Sequence, residues 1–313
     1  MIKIDGKDML VVDSHAHIWN RFDGSRFGYL KVHNLGYGKI KQGDDILDLV
    51  PPAFTDNQAT IEILLGYMDD AKIDKAVILQ NPCYGDQREY VKEVIAKYPD
   101  RIYAAIGKLD PRNVKKIVSE IDTLVKDFSC KGIKLEVPDV PFKMDAPEYN
   151  FMWKKLIDEN LIVTIDLGWG TGEYDWNIGN LENVIKKYPA LRVCIAHLGV
   201  CRLWDLEQKH PYPELQKLLK LTTIDKDNFY IDMCGMPFYD LTEEHPGKRN
   251  IDILKTVYET IGPDRIMFGT DFPSVLKQRT MKQCVDFMAN HCDFFTAVDL
   301  VKVMGQNALV AYK

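Results

Sequence analysis

The sequence predicts an α/β fold, a distorted (β/α)₈ barrel in which eight parallel strands alternate with helices. Three observations carry that expectation. Eight short segments are near-continuous runs of Val, Ile, Leu and Tyr, the pattern of strands buried on both faces. Amphipathic segments of helical period lie between them. No glycine-rich phosphate loop follows the first segment, as it would in a doubly wound nucleotide-binding sheet.

In chain order, the strand candidates are residues 10–13, 75–79, 101–106, 132–135, 161–165, 192–196, 229–231 and 265–268. Helical periods include residues 86–98, 112–128, 147–160, 180–188 and 250–261. Lys97-Tyr98-Pro99 and Lys187-Tyr188-Pro189 each stop a helix with proline just before a strand, a weak internal similarity that suits a repeated unit. Residues 18–57 show no clear period and carry Gly24, Gly28, Gly36, Gly38, Gly43 and Pro51-Pro52. A connection that long within a compact domain is expected to be a lid or part of a binding wall. Residues 280–313 read as two or three helices that complete the outer layer. No linker or low-complexity segment divides the chain, so residues 1–313 are expected to form one domain.

Composition narrows the function classes. Apolar residues make up 46% of the 313 and charged residues 27%, the balance of a soluble globular protein. Lys and Arg number 40 against 46 Asp and Glu, a net charge of -6, and the basic residues are scattered. Nucleic-acid binding is therefore not expected. The opening Met-Ile-Lys-Ile-Asp-Gly-Lys-Asp has no apolar stretch of signal length, and no segment approaches a membrane span, so a cytoplasmic location is expected. Seven cysteines without a CxxC pair argue against a disulfide framework and a cysteine-based zinc site. Cys194 and Cys234 read as small core residues.

Active sites of such barrels lie at the C-terminal strand ends. Those ends read Asp13-Ser14-His15-Ala16-His17, Lys134-Leu135-Glu136, Asp166, His197, Asp232 and Asp271. His15 and His17 alternate in an extended segment, so both imidazoles face one side and can reach a single ion. Two solvated imidazoles on a surface strand would show the same pair, but polar groups at the matching ends of other buried strands favour ligands. Imidazole suits Zn, Mn, Fe, Co or Ni, and a carboxylate such as Asp271 would balance the charge.

Four motifs, Val12-Asp13-Ser14-His15-Ala16-His17, Gly132-Ile133-Lys134-Leu135, Ile195-Ala196-His197-Leu198-Gly199 and Phe268-Gly269-Thr270-Asp271-Phe272-Pro273, occur in order at barrel spacing. In these the chain resembles the amidohydrolase-related branch of the amidohydrolase superfamily, which includes aminocarboxymuconate semialdehyde decarboxylase and related decarboxylases, hydratases and lactonases. The resemblance covers nearly the whole chain. It implies that His15 and His17 bind a metal, that Asp271 is a ligand and proton acceptor, and that His197 polarises substrate or helps activate water. One departure stands out: the fifth strand ends Val163-Thr164-Ile165-Asp166, where the family commonly has a histidine ligand. Asp166 either replaces that ligand, favouring Mn or Fe over Zn, or orients Lys134 or His197. The strand-four lysine is carbamylated and bridges two metals in some superfamily members, but without the strand-five histidine one divalent ion (Zn, Mn or Fe) is expected. Lys134 then binds a substrate carboxylate or pairs with Glu136 or Asp166. Asp232 reads as structural.

Substrate contacts are sought in the loops: Trp19, Arg21, Arg26 and His33 after the first strand, Trp169, Tyr174 and Trp176 after the fifth, Arg202 after the sixth, Phe238 and Tyr239 after the seventh. Aromatic residues beside arginine suit a small flat or anionic molecule. The expected activity is hydrolysis through metal-activated water, with decarboxylation by the same ion or a metal-independent lactonase as the alternatives. The expected partner is a small molecule, with no membrane; the resemblance implies a homodimer through the outer helices, although no segment declares itself as an interface.

Overall fold

In the computed structural model, residues 2–4, 6–27, 29–168, 174, 176–199, 212–223, 228–235 and 243–313 are described. Eight parallel strands form the barrel: β1 (Val12–Ala16), β2 (Lys75–Leu79), β3 (Ile102–Lys108), β4 (Gly132–Glu136), β5 (Ile162–Asp166), β6 (Arg192–Ile195), β7 (Phe229–Asp232) and β8 (Ile266–Met267). Each pairs in parallel with the next in sequence. The ring closes where β1 meets the segment after β8: Ser14 N–H donates to the Phe268 carbonyl at 2.9 Å and Asp271 N–H to the His15 carbonyl at 2.8 Å. Ala16 and Phe272 form a parallel bridge beyond them. The expected barrel is thus present, with every predicted strand within a few residues of its place.

Helices α1 (Ile61–Ala71), α2 (Arg88–Lys97), α3 (Ile117–Lys126), α4 (Asn150–Asp158), α5 (Ile178–Lys187), α6 (Pro213–Leu219) and α7 (Lys248–Ile261) follow strands one to seven. α8 (Met281–Asp286), α9 (Ala297–Val301) and α10 (Asn307–Ala311) complete the chain. Thr280 and Thr296 start α8 and α9 with capping boxes, each hydroxyl accepting a backbone N–H three residues on. Among the described residues no helix is long and apolar enough to cross a membrane.

Inside the barrel the period of two sorts residues by height. Val12, Val77, Ala104, Ile106, Ile162, Cys194, Tyr230 and Met267 pack together, and Ala308, Ala311 and Tyr312 of the last helix plug the closed end. Two residues further along, the same inward register carries Lys134 and Glu136 on β4 and Asp232 on β7, with Asp166 ending β5. The chemistry therefore gathers at one mouth. Among the described residues the cysteines are free and buried, as their spacing implied.

The aperiodic reading of residues 18–57 needs correction, because this connection folds into an antiparallel sheet of Ser25–Arg26, Leu30–Gly36, Lys39–Gln42 and Asp45–Asp48. Tyr37 and Gly38, at φ of 52° and 79°, make a two-residue turn of the type favoured by twisted hairpins. Only Val32 and Ile40 of these strands are buried, while Leu35, Tyr37, Ile46 and Leu47 are exposed, so the alternation in sequence is faint.

Gly132 starts β4 where a Cβ would lie 2.4 Å from the Ile162 carbonyl oxygen of β5. Gly132→Ala is expected to destabilise the fold by about 1–3 kcal/mol, because a backbone oxygen cannot yield as a side chain would. An unchanged midpoint in urea denaturation would contradict this.

Candidate active site

A cavity of about 430 Å³ opens at the C-terminal end of the barrel. His17, Lys134, Glu136, Asp166, His197 and Asp271 line its depth, and Ile40 and Leu47 of the small sheet, with Leu49 just after it, line its outer wall. Every predicted catalytic and ligand residue is thereby brought to one place, with His15 fully buried immediately behind.

Each histidine is oriented by its outer ring nitrogen. His15 Nδ1 lies 2.9 Å from Asp232 Oδ2, and His17 Nδ1 donates to the Leu79 carbonyl at 2.7 Å. A carbonyl only accepts, so the His17 proton is fixed on Nδ1 and Nε2 turns inward. His15 Nε2, His17 Nε2 and an Asp271 oxygen lie within 4.8 Å of one another. His17 Nε2 is 3.2 Å from Asp271 Oδ1, two electron-rich atoms that only a proton or a cation between them can reconcile. This donor set fits a divalent ion.

Lys134 occupies the centre of the site. Its ammonium is fully buried, 2.5 Å from Glu136 Oε1 and 3.2 Å from His15 Nε2. Burial works against that charge, but Glu136, then Asp166 and Asp271, outweigh it and raise the lysine above its ordinary value. Burial likewise raises Glu136, which Lys134 opposes and Asp166 reinforces; Asn81 Nδ2 donates to the same carboxylate at 2.7 Å. Burial and then the Lys134 charge push His15 down to about 3 despite Asp232, so the imidazole is neutral at physiological pH.

Asp271 and His197 are held in left-handed backbone. Asp271 has φ of 62°, and His197 and Leu198 have φ of 57° and 51°. Such conformations cost on the order of 1–2 kcal/mol per non-glycine residue, and they aim both side chains into the mouth. The His197 N–H donates to Asp232 Oδ1 at 2.9 Å, so one carboxylate positions both His15 and His197. His197 Nδ1 lies 3.0 Å from Cys234 Sγ, and Nε2 faces Asp166 Oδ2 at 3.6 Å. Burial opposes the imidazolium, but Asp166, Asp271 and Asp232 together raise His197 above its ordinary value. For Asp271 the balance reverses: burial would raise it, yet the His17 hydrogen bond and the neighbouring histidines bring it down to about 2.

Asp166 ends β5 beside His197 and also accepts the Gly168 N–H at 2.8 Å, and it lies outside the converging His15, His17 and Asp271 set. Trp19 does not reach the cavity; it is fully buried, stacked on Tyr84 at 4.0 Å between ring centroids, with its indole N–H on the Asn57 carbonyl. A large apolar ring next to a core strand packs inward, which places Trp19 behind the wall. Arg21 is exposed on the outer rim, 3.4 Å from Asp23 and donating to the Asp86 carbonyl. His33 is exposed on the small sheet and Trp176 is buried. Trp169, Arg202, Phe238 and Tyr239 fall outside the described residues.

Several functional positions escaped sequence reasoning. Asp232 was expected to be structural, and it is the shared partner of the His15 ring and the His197 backbone. Its place at a strand end was the available signal. Lys277 lines the cavity and donates to the Asp48 carbonyl at 3.0 Å; Arg26, a substrate contact expected from sequence, also lines the cavity, joined to Asp139 at 2.6 Å. Lys277 lies in a loop after β8 that no motif marked.

Asp13 sits beneath the site, accepting from Thr270 N–H at 2.9 Å and His15 N–H at 3.1 Å, and burial raises it to about 7 despite these bonds. The native state thus keeps a proton that the unfolded chain releases above 3.8. Stability from this group is lost as pH rises through that window. Asp13→Asn removes the titration, so the variant should gain stability relative to wild type between about pH 4 and 7, by up to about 1.4 kcal/mol per pH unit. Parallel urea curves with a pH-independent offset would refute the assignment.

The sequence matches the Amidohydro_2 amidohydrolase family model over residues 12–313. No curated protein sequence matches the chain. Its backbone is similar to an amidohydrolase from Burkholderia multivorans with bound zinc, at a TM-score of 0.73 and 15% identity over 97% of this chain and 99% of that one. It is similar to a probable 2-pyrone-4,6-dicarboxylic acid hydrolase from Acinetobacter baumannii with citric acid bound, at 0.69 and 18% over 97% and 99%. It is also similar to 5-carboxyvanillate decarboxylase from Sphingomonas paucimobilis, at 0.65 and 14% over 97% and 99%. With a family match spanning the barrel from its first strand to the last helix, this chain belongs to the amidohydrolase family.

Proposed function

We propose that this chain is a metal-dependent hydrolase acting on a small, carboxylate-bearing organic substrate. The observation that carries the reading is the convergence of His15 Nε2, His17 Nε2 and the Asp271 carboxylate beside a 430 Å³ cavity. One Zn, Mn or Fe ion would be held by these three, with Asp166 as the candidate further ligand. When bound, such an ion supplies Lewis acidity that polarises a carbonyl and makes nearby water more acidic.

The chain's own groups perform the rest. Asp271, kept ionised, accepts the proton of the attacking water. His197, raised by its acidic neighbours, offers an N–H from Nε2 to the negative charge developing on the substrate oxygen. Lys134 keeps its positive charge paired with Glu136 and would give up its contact with His15 Nε2 when an ion takes that lone pair, while Arg26 and Lys277 place cationic groups on the cavity wall where a substrate carboxylate docks. Two of the structures it resembles, a probable dicarboxylic acid hydrolase and a carboxyvanillate decarboxylase, support an acidic substrate. In a decarboxylase the same cations would hold the leaving carboxylate, and the products separate the two readings. The reading takes a small molecule as partner, in the cytoplasm.

Elemental analysis of metal-supplemented protein tests it first. His15→Ala should hold one equivalent less than wild type, and a matching loss in Asp166→Ala would make Asp166 a ligand. Assays on lactones and aromatic or unsaturated dicarboxylates, followed for both hydrolysis and CO₂ release, test the chemistry. Asp271→Asn should lower kcat by about 10²–10⁴-fold with unchanged circular dichroism. Equal metal content in wild type and His15→Ala, or full activity in Asp271→Asn, would sink the metal-dependent mechanism.

A further inference from the structure

A second cluster of metal-type donors lies outside the residues that line the cavity. His245 Nε2 is 2.9 Å from Asp286 Oδ2, and His291 Nε2 is 3.1 Å from the same oxygen. The three ligand atoms lie within 4.8 Å of one another. The two rings meet edge to face, with centroids 5.1 Å apart at 88°. Asp286 and the histidine side chains are partly exposed, which leaves room for entry and for water to complete a coordination shell.

The backbone is shaped to bring these groups together. Asp286 ends α8 and His291 ends the π-helical turn Phe287–His291 that continues it. In an α-helix, positions five apart would point about 140° from one another. The wider π turn returns the residue five positions on toward the face of the first, and such turns recur at functional sites. His245 arrives from the segment before α7, where Glu243 accepts from Arg279 Nη2 at 3.1 Å and from Arg249 N–H at 2.9 Å. Asn290 Nδ2 donates to Asp286 Oδ1 at 2.7 Å, which fixes the carboxylate and leaves Oδ2 facing both rings.

From this geometry we propose that His245, Asp286 and His291 form a second, surface transition-metal site, of the two-histidine, one-carboxylate type that takes Zn²⁺ and Co²⁺. The nitrogen–oxygen separations of 2.9 and 3.1 Å are a few tenths short of the edge, about 3.3 Å, of a tetrahedron with bonds of 2.0–2.1 Å. Binding moves each ring proton from Nε2 to Nδ1, so neither histidine need change charge. The ion would join the segment entering α7 to the end of α8, and its ligands include none of the barrel-site residues.

The test uses chelator-treated full-length protein reloaded with Zn²⁺, then with Co²⁺. His245→Asn/His291→Asn should lose one equivalent of Zn²⁺ relative to wild type, together with visible Co²⁺ absorption, while keeping its circular dichroism spectrum. The singly substituted Asp286→Asn should bind Zn²⁺ at least tenfold more weakly at this site. His15→Ala must retain the equivalent that the double variant loses, which keeps the result independent of the barrel site. Identical metal content and Co²⁺ spectra in wild type and the double variant would overturn the proposal.

Discussion

The buried ammonium of Lys134 is the constraint on which the site depends. An isolated charge in a barrel interior would be prohibitively costly, so the surroundings must answer it. Glu136 lies two residues further along the same strand, which puts both groups on one face of β4. His15 then meets the lysine with a nitrogen that must be bare, because its other nitrogen is committed to Asp232. The tautomer of a metal-type histidine is thus set by a lysine on one side and an aspartate on the other.

Asp232 extends this logic across the barrel. Its two oxygens hold the His15 ring and the His197 backbone, so the groups from β1 and from the turn after β6 cannot move independently. The backbone strain at His197, Leu198 and Asp271 persists because such bonds and the surrounding core over-determine those turns. The resulting electrostatic division separates Asp271, held ionised, from His197, made more basic. Neighbouring groups pushed apart in this way are the usual arrangement for a base and an electrophilic partner.

The outer wall of the cavity is built on a different principle. The small sheet after β1 contributes little apolar burial of its own and is fastened by polar contacts, among them Arg26 to Asp139 and Lys277 to the Asp48 carbonyl. Those contacts come from the loops that follow β4 and β8. The barrel therefore fixes the strand-end groups, while a polar connection covers the cavity they line.

The sequence by itself determined the barrel, because strands buried on both faces must be apolar throughout and such runs are visible without coordinates. It also marked His15, His17, Asp166, His197 and Asp271 as strand-end groups, because polar residues directly after buried apolar runs stand out; the period of two speaks for His15 and His17, whereas left-handed turns aim His197 and Asp271. Tertiary structure alone decided which of them meet. Trp19 and Arg21 are neighbours of the site in sequence, yet one turns into the core and the other into solvent. Asp232 and Lys277 come from loops and strands remote in sequence, and their roles arise from distances of about 3 Å across the barrel mouth. The meander was faint in sequence because a sheet with one thin buried edge leaves few apolar residues to mark its period. Burial, which moves Asp13, His15 and Glu136 from their ordinary proton affinities, is a property of the packed chain and has no signature in any single segment.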